Sequence, residues 1–310
     1  LPLVILLFAL FASLFTLSKT ALGFSEPFFL IGSRMAFSGL LLLGYQFWFQ
    51  PKQFNVAWKH LLPLLALGLI SIYITNIAEI WGLQYMSSAK ACLMYSLSPF
   101  VAALVAYWVL QERMSNKKWL GLLVGFVGLL PILFVSANPQ DLAKDLLIIS
   151  WPELSIIVAV IASVYGWILL KKIMHQYHYS PILANGFSML IGGTFALAHS
   201  YLSGEAWQPV PILNQQYGAF LECAVWMTLI SNIICYNLYG YLLTKYSATF
   251  MALAGLITPL FASLFGWYFL NEAITWHFYA SMAIFSLGLT LFYQEELSNN
   301  LVTAKANGHS

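Results

Sequence analysis

Residues able to do chemistry are sparse in this 310-residue chain, and most stand inside long apolar runs. Arg34 lies within the run 27–49. Glu79 stands near the end of the run 61–83, followed by Trp81, Gln84 and Tyr85. Lys90, Tyr95 and Ser98 fall five and three positions apart in 87–110, close enough to lean into one cavity. Asn232, Tyr236 and Tyr239 recur four and three apart in 219–243, which puts them on one helical face. Trp167 and Asn185, in the neighbouring runs 152–170 and 181–201, can complete such a pocket with an aromatic wall.

Polar side chains at membrane depth are costly and usually face the protein interior, so each is a candidate for solute recognition. Arg34 stays charged in any setting. It is either a counter-charge for a solute carboxylate or phosphate, or one arm of an ion pair with Glu79 or Glu26. Glu79 can receive a cationic group, and Trp81 and Tyr85 offer flat faces to a ring or a cation, unless they are interface anchors. Lys90 points into the cavity or snorkels to the outer interface. The Asn232/Tyr236/Tyr239 face reads as pocket more readily than as helix glue, and Asn237, one position off, can bond a neighbouring helix. So many Trp and Tyr residues suit an amphipathic solute with a flat ring better than a sugar phosphate.

Bond-making chemistry is not indicated. His175, His178, His199 and His277 stand near helix ends without clustering, and there is no metal-ligand spacing, phosphate loop or nucleophile elbow, so neither a metal nor a cofactor is expected. Cys92, Cys223 and Cys235 read as buried apolar side chains. A formal charge of +2 without a basic patch is too small to imply a nucleic-acid partner, and none is expected.

The elements that position these residues are membrane spans. Charged residues make up 8% of the chain and mean hydropathy is +0.80, whereas a soluble domain carries about 25% charge. Runs long enough to cross a bilayer fall at 2–18, 27–49, 61–83, 87–110, 119–135, 152–170, 181–201, 219–243, 247–270 and 276–293. The first ends at Lys19 with no small-residue cleavage site, so it reads as a helix rather than a cleaved leader; its start at Leu1 fits a clipped beginning.

The chain also repeats itself. Ser98-Pro99 and Glu112 return 160 positions later as Thr258-Pro259 and Glu272, and the same shift lays Ser87 on Ser247 and Gly128 on Gly288. The expected architecture is all-α: a polytopic membrane protein of ten helices in two five-helix repeats, 1–136 and 152–293, joined by a polar connector and followed by a tail at 294–310. Five is odd, so the second repeat enters the bilayer inverted. Lys52, Lys59, Arg113, Lys117, Lys118, Lys171, Lys172 and Lys245 all fall in even-numbered connections, which places those connections and both termini in the cytoplasm. Pro99 and Pro259 are expected to bend their helices and gate a central site, and Glu112 and Glu272 to pair or cap.

The stretch Tyr85-Met86-Ser87-Ser88-Ala89 through Ser98-Pro99 to Glu112-Arg113 and Trp119-Leu120-Gly121, echoed from Ser247 through Pro259 to Glu272, resembles the EamA-type members of the drug/metabolite transporter superfamily. Within them, Glu79 to Tyr85 and Lys90 to Phe100 look like the S-adenosylmethionine/S-adenosylhomocysteine carriers of intracellular bacteria. The resemblance implies a secondary carrier of a small organic metabolite in the bacterial inner membrane, working by alternating access, with no enzyme activity. It also implies that the fifth and tenth helices lie outside the transport core, so that Gly121, Gly125 and Gly128 are packing or homodimer positions. Adenine would stack on Trp or Tyr, Glu79 would meet the sulfonium or ammonium, and Arg34 or Lys90 the carboxylate. Lys90 stands where many relatives place a small residue. An amino-acid exporter, a flippase of lipid-linked head groups and a non-transporting membrane protein are the competing readings.

Overall fold

The computed structural model describes residues 2–51, 54, 56–109, 115–135, 150–207, 210–246, 251, 254–271, 276–284, 286–288, 290–291 and 294. Lys52, Glu112, Arg113, Lys144, Ser247, Glu272, the connector 136–149 and the tail 295–310 lie outside the described residues. What is described is helical apart from turns and one isolated bridge, Ser25 to Ile212. Among the described residues six helices are long and apolar enough to cross a membrane. They are α1 (Pro2–Ala21), α2 (Pro27–Phe49), α3 (Trp58–Leu83), α7 (Trp151–Tyr177), α8 (Pro181–Leu202) and α9 (Tyr217–Lys245). Between and after them lie α4 (Ser88–Tyr95), α5 (Ser98–Val109), α6 (Asn116–Val135) and α10 (Thr258–Leu270).

The chain divides into two compact units, Leu1–Tyr95 with Ile149–Glu272, and Ser96–Ile148 with Ala273–Ser310. The second unit contains α5, α6 and helical residues from 276 onward. Gly125 and Gly288 there are packing positions: a Cβ on Gly125 would lie 2.1 Å from Phe100 Cζ, and one on Gly288 would lie 2.5 Å from Gly125 N.

In the first unit, α2 and α8 pack backbone to backbone. Cβ atoms built on Gly32, Gly39 and Gly193 would fall 2.6 Å from Leu197 N, 2.4 Å from Leu190 N and 2.3 Å from Ala36 N. As numbers rise along α2 they fall along α8, so the helices run antiparallel. Lipid is as apolar as Leu, so helices in a bilayer associate by such close packing rather than by hydrophobic exclusion.

The sequence places the sixth span's end at the lysine pair, but α7 runs past Lys171 and Lys172 to Tyr177. Lysine is a good helix former, and the stop is instead His178, left-handed at φ 56°, ahead of Ser180-Pro181. The expected bends at the prolines take two forms, a break before Pro99 and a tightened turn before Pro259. The chain leaves helix after Tyr95, turns, and restarts at Ser98 with Pro99 in the first turn. At the equivalent position, Pro259 opens α10 after a 3-10 turn at Gly255–Ile257. Proline lacks the N–H that would reach back four residues, and a first turn is where that loss costs nothing.

Two further irregularities match across the 160-residue shift. Gly68–Ile74 in α3 and Thr228–Cys235 in α9 are π-helical. Widening the helix frees backbone carbonyls, and asparagines take them up: Asn76 donates to Ile72 O at 2.8 Å, and Asn237 to Ile233 O at 2.9 Å.

Loops of the first unit gather at two ends. At one, Glu26 N donates to Pro211 O at 3.1 Å and Leu213 N to Phe24 O at 2.9 Å. Lys19 there donates to Leu83 O and Met86 O at 2.8 and 2.6 Å, capping the end of α3. At the other end His60 Nδ1 meets Tyr179 OH at 2.6 Å, and Ser180 Oγ donates to Gln46 Oε1 at 3.2 Å. The first cluster joins odd-numbered connections, and the second joins even-numbered ones.

Candidate functional site

The buried polar cluster of the first unit grows from α2, α3, α4 and α9. Arg34 and Ser38 are one turn apart on α2 and buried, as is Asn232, one turn before Tyr236 on α9. Ser38 Oγ donates to Arg34 O at 2.6 Å. Asn232 Nδ2 donates to Ser38 Oγ at 2.7 Å and to Arg34 O at 3.3 Å. From α3, Asn76 Nδ2 approaches Tyr236 OH at 3.4 Å. One turn on, Glu79 Oε2 accepts from Tyr95 OH at 2.6 Å. Arg34 interacts electrostatically with both Glu79 and Tyr236. The two charges nonetheless do not close on each other as an ion pair, whereas Lys90 and Glu153 do.

An aromatic wall adjoins this cluster. The Trp167 ring stacks on Tyr239 with centroids 4.1 Å apart and planes at 26°, and lies 5.2 Å from Tyr236. Helix α1 supplies the rest. Phe11 meets Tyr236 and Tyr239 edge-on at 6.5 and 6.2 Å, and Phe15 meets Tyr95 at 5.6 Å. Such stacked, tilted and edge contacts suit the ring quadrupoles and make this wall continuous with the apolar core around Tyr239.

Of the residues singled out in sequence, the structure brings together Arg34, Glu79, Tyr95, Trp167, Asn232, Tyr236 and Tyr239. The others stand elsewhere or are otherwise engaged. Lys90 is buried and bonded to Glu153, which also accepts from Ser150 N and Oγ at 2.8 and 3.0 Å as the capping box of α7. Asn185 donates to Tyr236 O and to Asn237 Oδ1, each at 3.1 Å, tying α8 to α9. Tyr85 is 63% exposed, with Trp81 beside it at 5.2 Å. Ser98, with Pro99, opens α5 in the second unit.

Sequence reasoning gave no role to Ser38, Asn76, Phe11 or Phe15. Their signal was helical spacing: Ser38 is four after Arg34, Asn76 three before Glu79, and Phe8, Phe11 and Phe15 follow three and four apart.

A second polar group holds the end of α2. Glu205 accepts from Phe28 N and Phe29 N at 2.8 and 2.9 Å, and from Ser200 Oγ at 2.5 Å. A carboxylate from a distant loop thus caps a helix whose own N-cap, Glu26, makes no side-chain cap bond. Partial burial, and then the negative charge of Glu205, push the Glu26 carboxyl above the ordinary 4.5.

Comparison with known proteins agrees with this architecture. The EamA-like transporter family matches the chain twice, at residues 1–134 and 150–294. A protein of Chlamydia muridarum named S-adenosylmethionine/S-adenosylhomocysteine transporter is 38% identical over 294 residues, 94% of this chain and 91% of its own length. A protein of the same name from Chlamydia trachomatis serovar L2 is 36% identical over 94% of this chain and 88% of its own. A chloroplastic WAT1-related protein of Arabidopsis thaliana is 26% identical over 83% of this chain and 60% of its own. One solved crystal structure superposes with a TM-score of 0.64 at 14% identity, covering 93% of this chain and 94% of its own, which shows a shared fold. An all-helical, many-span chain with buried polar groups, matched along nearly its whole length, is a membrane transporter rather than an enzyme: it belongs to the EamA-like transporter family.

Proposed function

We propose that this chain exchanges S-adenosylmethionine for S-adenosylhomocysteine across the bacterial inner membrane. The observation that carries the reading is one buried neighbourhood holding a carboxylate, a guanidinium and stacked rings, in a chain 36–38% identical to carriers of that name. The substrate needs those three chemistries. Its adenine is a flat ring for Trp167, Tyr236 and Tyr239, its sulfonium a cation for Glu79, and its carboxylate an anion for Arg34.

Two five-helix repeats, 1–136 and 152–293, are the machine in this reading, inverted with respect to each other. The antiparallel run of α2 and α8, which are equivalent second helices, supports that arrangement, as do the two ends of the unit. The end carrying Lys59, Lys171, Lys172 and Lys245 is cytoplasmic. Lys19 and Lys90, at the opposite end, spend their charge on helix carbonyls and on Glu153. The break before Pro99 and the 3-10 turn before Pro259 supply flexure in both repeats. Exchange requires only that the solute bind differently in the two access states.

Purified protein in proteoliposomes preloaded with S-adenosylhomocysteine should take up labelled S-adenosylmethionine. Unlabelled forms of both should compete, and phenylalanine should not. Folded protein that shows no uptake, or competition by phenylalanine alone, refutes the proposal; the second outcome favours amino-acid export.

A further inference from the structure

Two buried polar atoms in the site have no partner among the described residues: Arg34 Nε and Asn232 Oδ1. Arg34 is 5% exposed and Asn232 fully buried. Native structures satisfy nearly all such atoms, so each orphan calls for an explanation.

The hydrogen-bond network fixes which way the Asn232 amide faces. Ser38 commits its hydroxyl proton to Arg34 O, so its oxygen is left to accept, and the Asn232 group beside it must be the donor NH2. The second hydrogen of that NH2 points to the same Arg34 carbonyl. A flipped amide would set two acceptors against each other. The carbonyl oxygen of Asn232 is therefore held away from this bond pair, as an acceptor with nothing to accept. Arg34 presents the opposite need, a charged donor with a free N–H. The Arg34 side chain shares its surroundings with Tyr236, which stands one turn from Asn232 on the same helix.

We infer, resting on the adenosyl-substrate reading, that Arg34 and Asn232 form a two-point clamp for an α-amino-acid head group. Arg34 donates to the carboxylate and Asn232 Oδ1 accepts from the ammonium. A neutral acceptor suits the ammonium here because it adds no second negative charge beside the carboxylate. Glu79, bonded to Tyr95, is then left for the sulfonium farther along the substrate. Ser38 is a positioning residue, since it orients the Asn232 amide without touching the solute.

The test is competition against labelled S-adenosylmethionine by S-adenosylhomocysteine, by its N-acetylated and decarboxylated derivatives, and by 5′-methylthioadenosine, which lacks the amino-acid end. In the wild type each derivative should bind roughly tenfold or more weaker than S-adenosylhomocysteine, because each leaves one clamp group unpaired. Asn232→Ser should weaken S-adenosylhomocysteine by about tenfold while 5′-methylthioadenosine is unchanged, and Ser38→Ala should act in the same direction to a smaller extent. Equal weakening of both ligands, or derivatives that bind as well as the parent, overturns the clamp while uptake of S-adenosylmethionine still upholds the transport reading. Wild type that ignores every adenosyl compound but binds methionine in an Asn232-dependent way does the reverse. The derivatives act on wild type, so the outcome does not depend on any variant folding.

Discussion

The Lys90–Glu153 pair points to a third role for Lys90, structural anchor, where the sequence left it between cavity cation and a side chain snorkelling to the outer interface. Its side chains are 6% and 11% exposed, so truncating Lys90 leaves a buried carboxylate without its counter-charge. Breaking such a pair from one side costs about 3–5 kcal/mol. Glu153 keeps two donors from Ser150, so Lys90→Met should fall at the low end, about 3 kcal/mol. At roughly 2 °C per kcal/mol for a large domain, melting should drop by about 6 °C. The double variant Lys90→Met/Glu153→Gln removes both charges and retains a glutamine that can serve the capping box, so it should recover to within about 1 kcal/mol of wild type. A thiol-reactive fluorogenic dye reads the melt directly, because Cys92, Cys223 and Cys235 are all buried until unfolding. Transport should follow stability through the cycle. If Lys90→Met melts like wild type yet loses transport, or if the double variant regains stability without transport, Lys90 acts on the solute and the structural assignment fails.

Other expectations are narrower. Gly39→Val should abolish recovery of folded protein, because even a Cβ there lies 2.4 Å from Leu190 N, whereas Gly44→Ala, whose nearest neighbour is Trp48 at 3.6 Å, should melt as wild type does; fluorescence-detected size exclusion separates them. The Glu26 carboxyl is raised in the folded state, so its contribution is fully present below pH 4.5 and is lost as pH climbs through the raised value. Glu26→Gln should therefore flatten the melting-temperature profile above pH 4.5, and a profile that keeps its wild-type slope there removes the Glu26 carboxyl, raised by burial first and by Glu205 second, as its cause. Glu79→Gln should weaken S-adenosylmethionine by about tenfold or more and S-adenosylhomocysteine by less than about threefold, since only the former carries a sulfonium; equal losses in competition assays would mean that Glu79 is structural.

Much of this was legible in advance because hydropathy and duplication are long-range regularities. The boundaries of α2, which starts at Pro27, and of α8, which starts at Pro181 behind Ser180, follow from local capping chemistry. The π-helical segments were not legible. Gly68–Ile74 and Thr228–Cys235 carry no periodicity that marks an extra residue per turn, and what sustains them is asparagine side chains reaching freed carbonyls. The antiparallel glycine seam was hidden for a different reason. Gly32, Gly39 and Gly193 look like ordinary membrane glycines until their partners Leu197, Leu190 and Ala36, some 160 residues away, are known. The site was half visible. Arg34, Asn232 and Tyr236 stand out as polar residues in apolar runs, but Phe11 and Phe15 blend into a helix that is mostly apolar.

Arg34 and Glu79 matter most for being held apart. A direct pair would satisfy both charges and leave a solute little to gain, since it would have to break one strong contact to form another. Here Glu79 is steadied by the Tyr95 hydroxyl, a neutral donor, and Arg34 is positioned through its backbone carbonyl by Ser38 and Asn232. Both charges are therefore placed without being quenched. The cost is a guanidinium Nε and an amide oxygen buried without partners among the described residues, which a solute held by the proposed clamp would relieve. That relief is available only in an access state that keeps α2 and α9 in this register, because Asn232 reaches across from one to the other. A clamp that spans two helices in this way would make affinity depend on their relative position, which is the differential contact that alternating access would require.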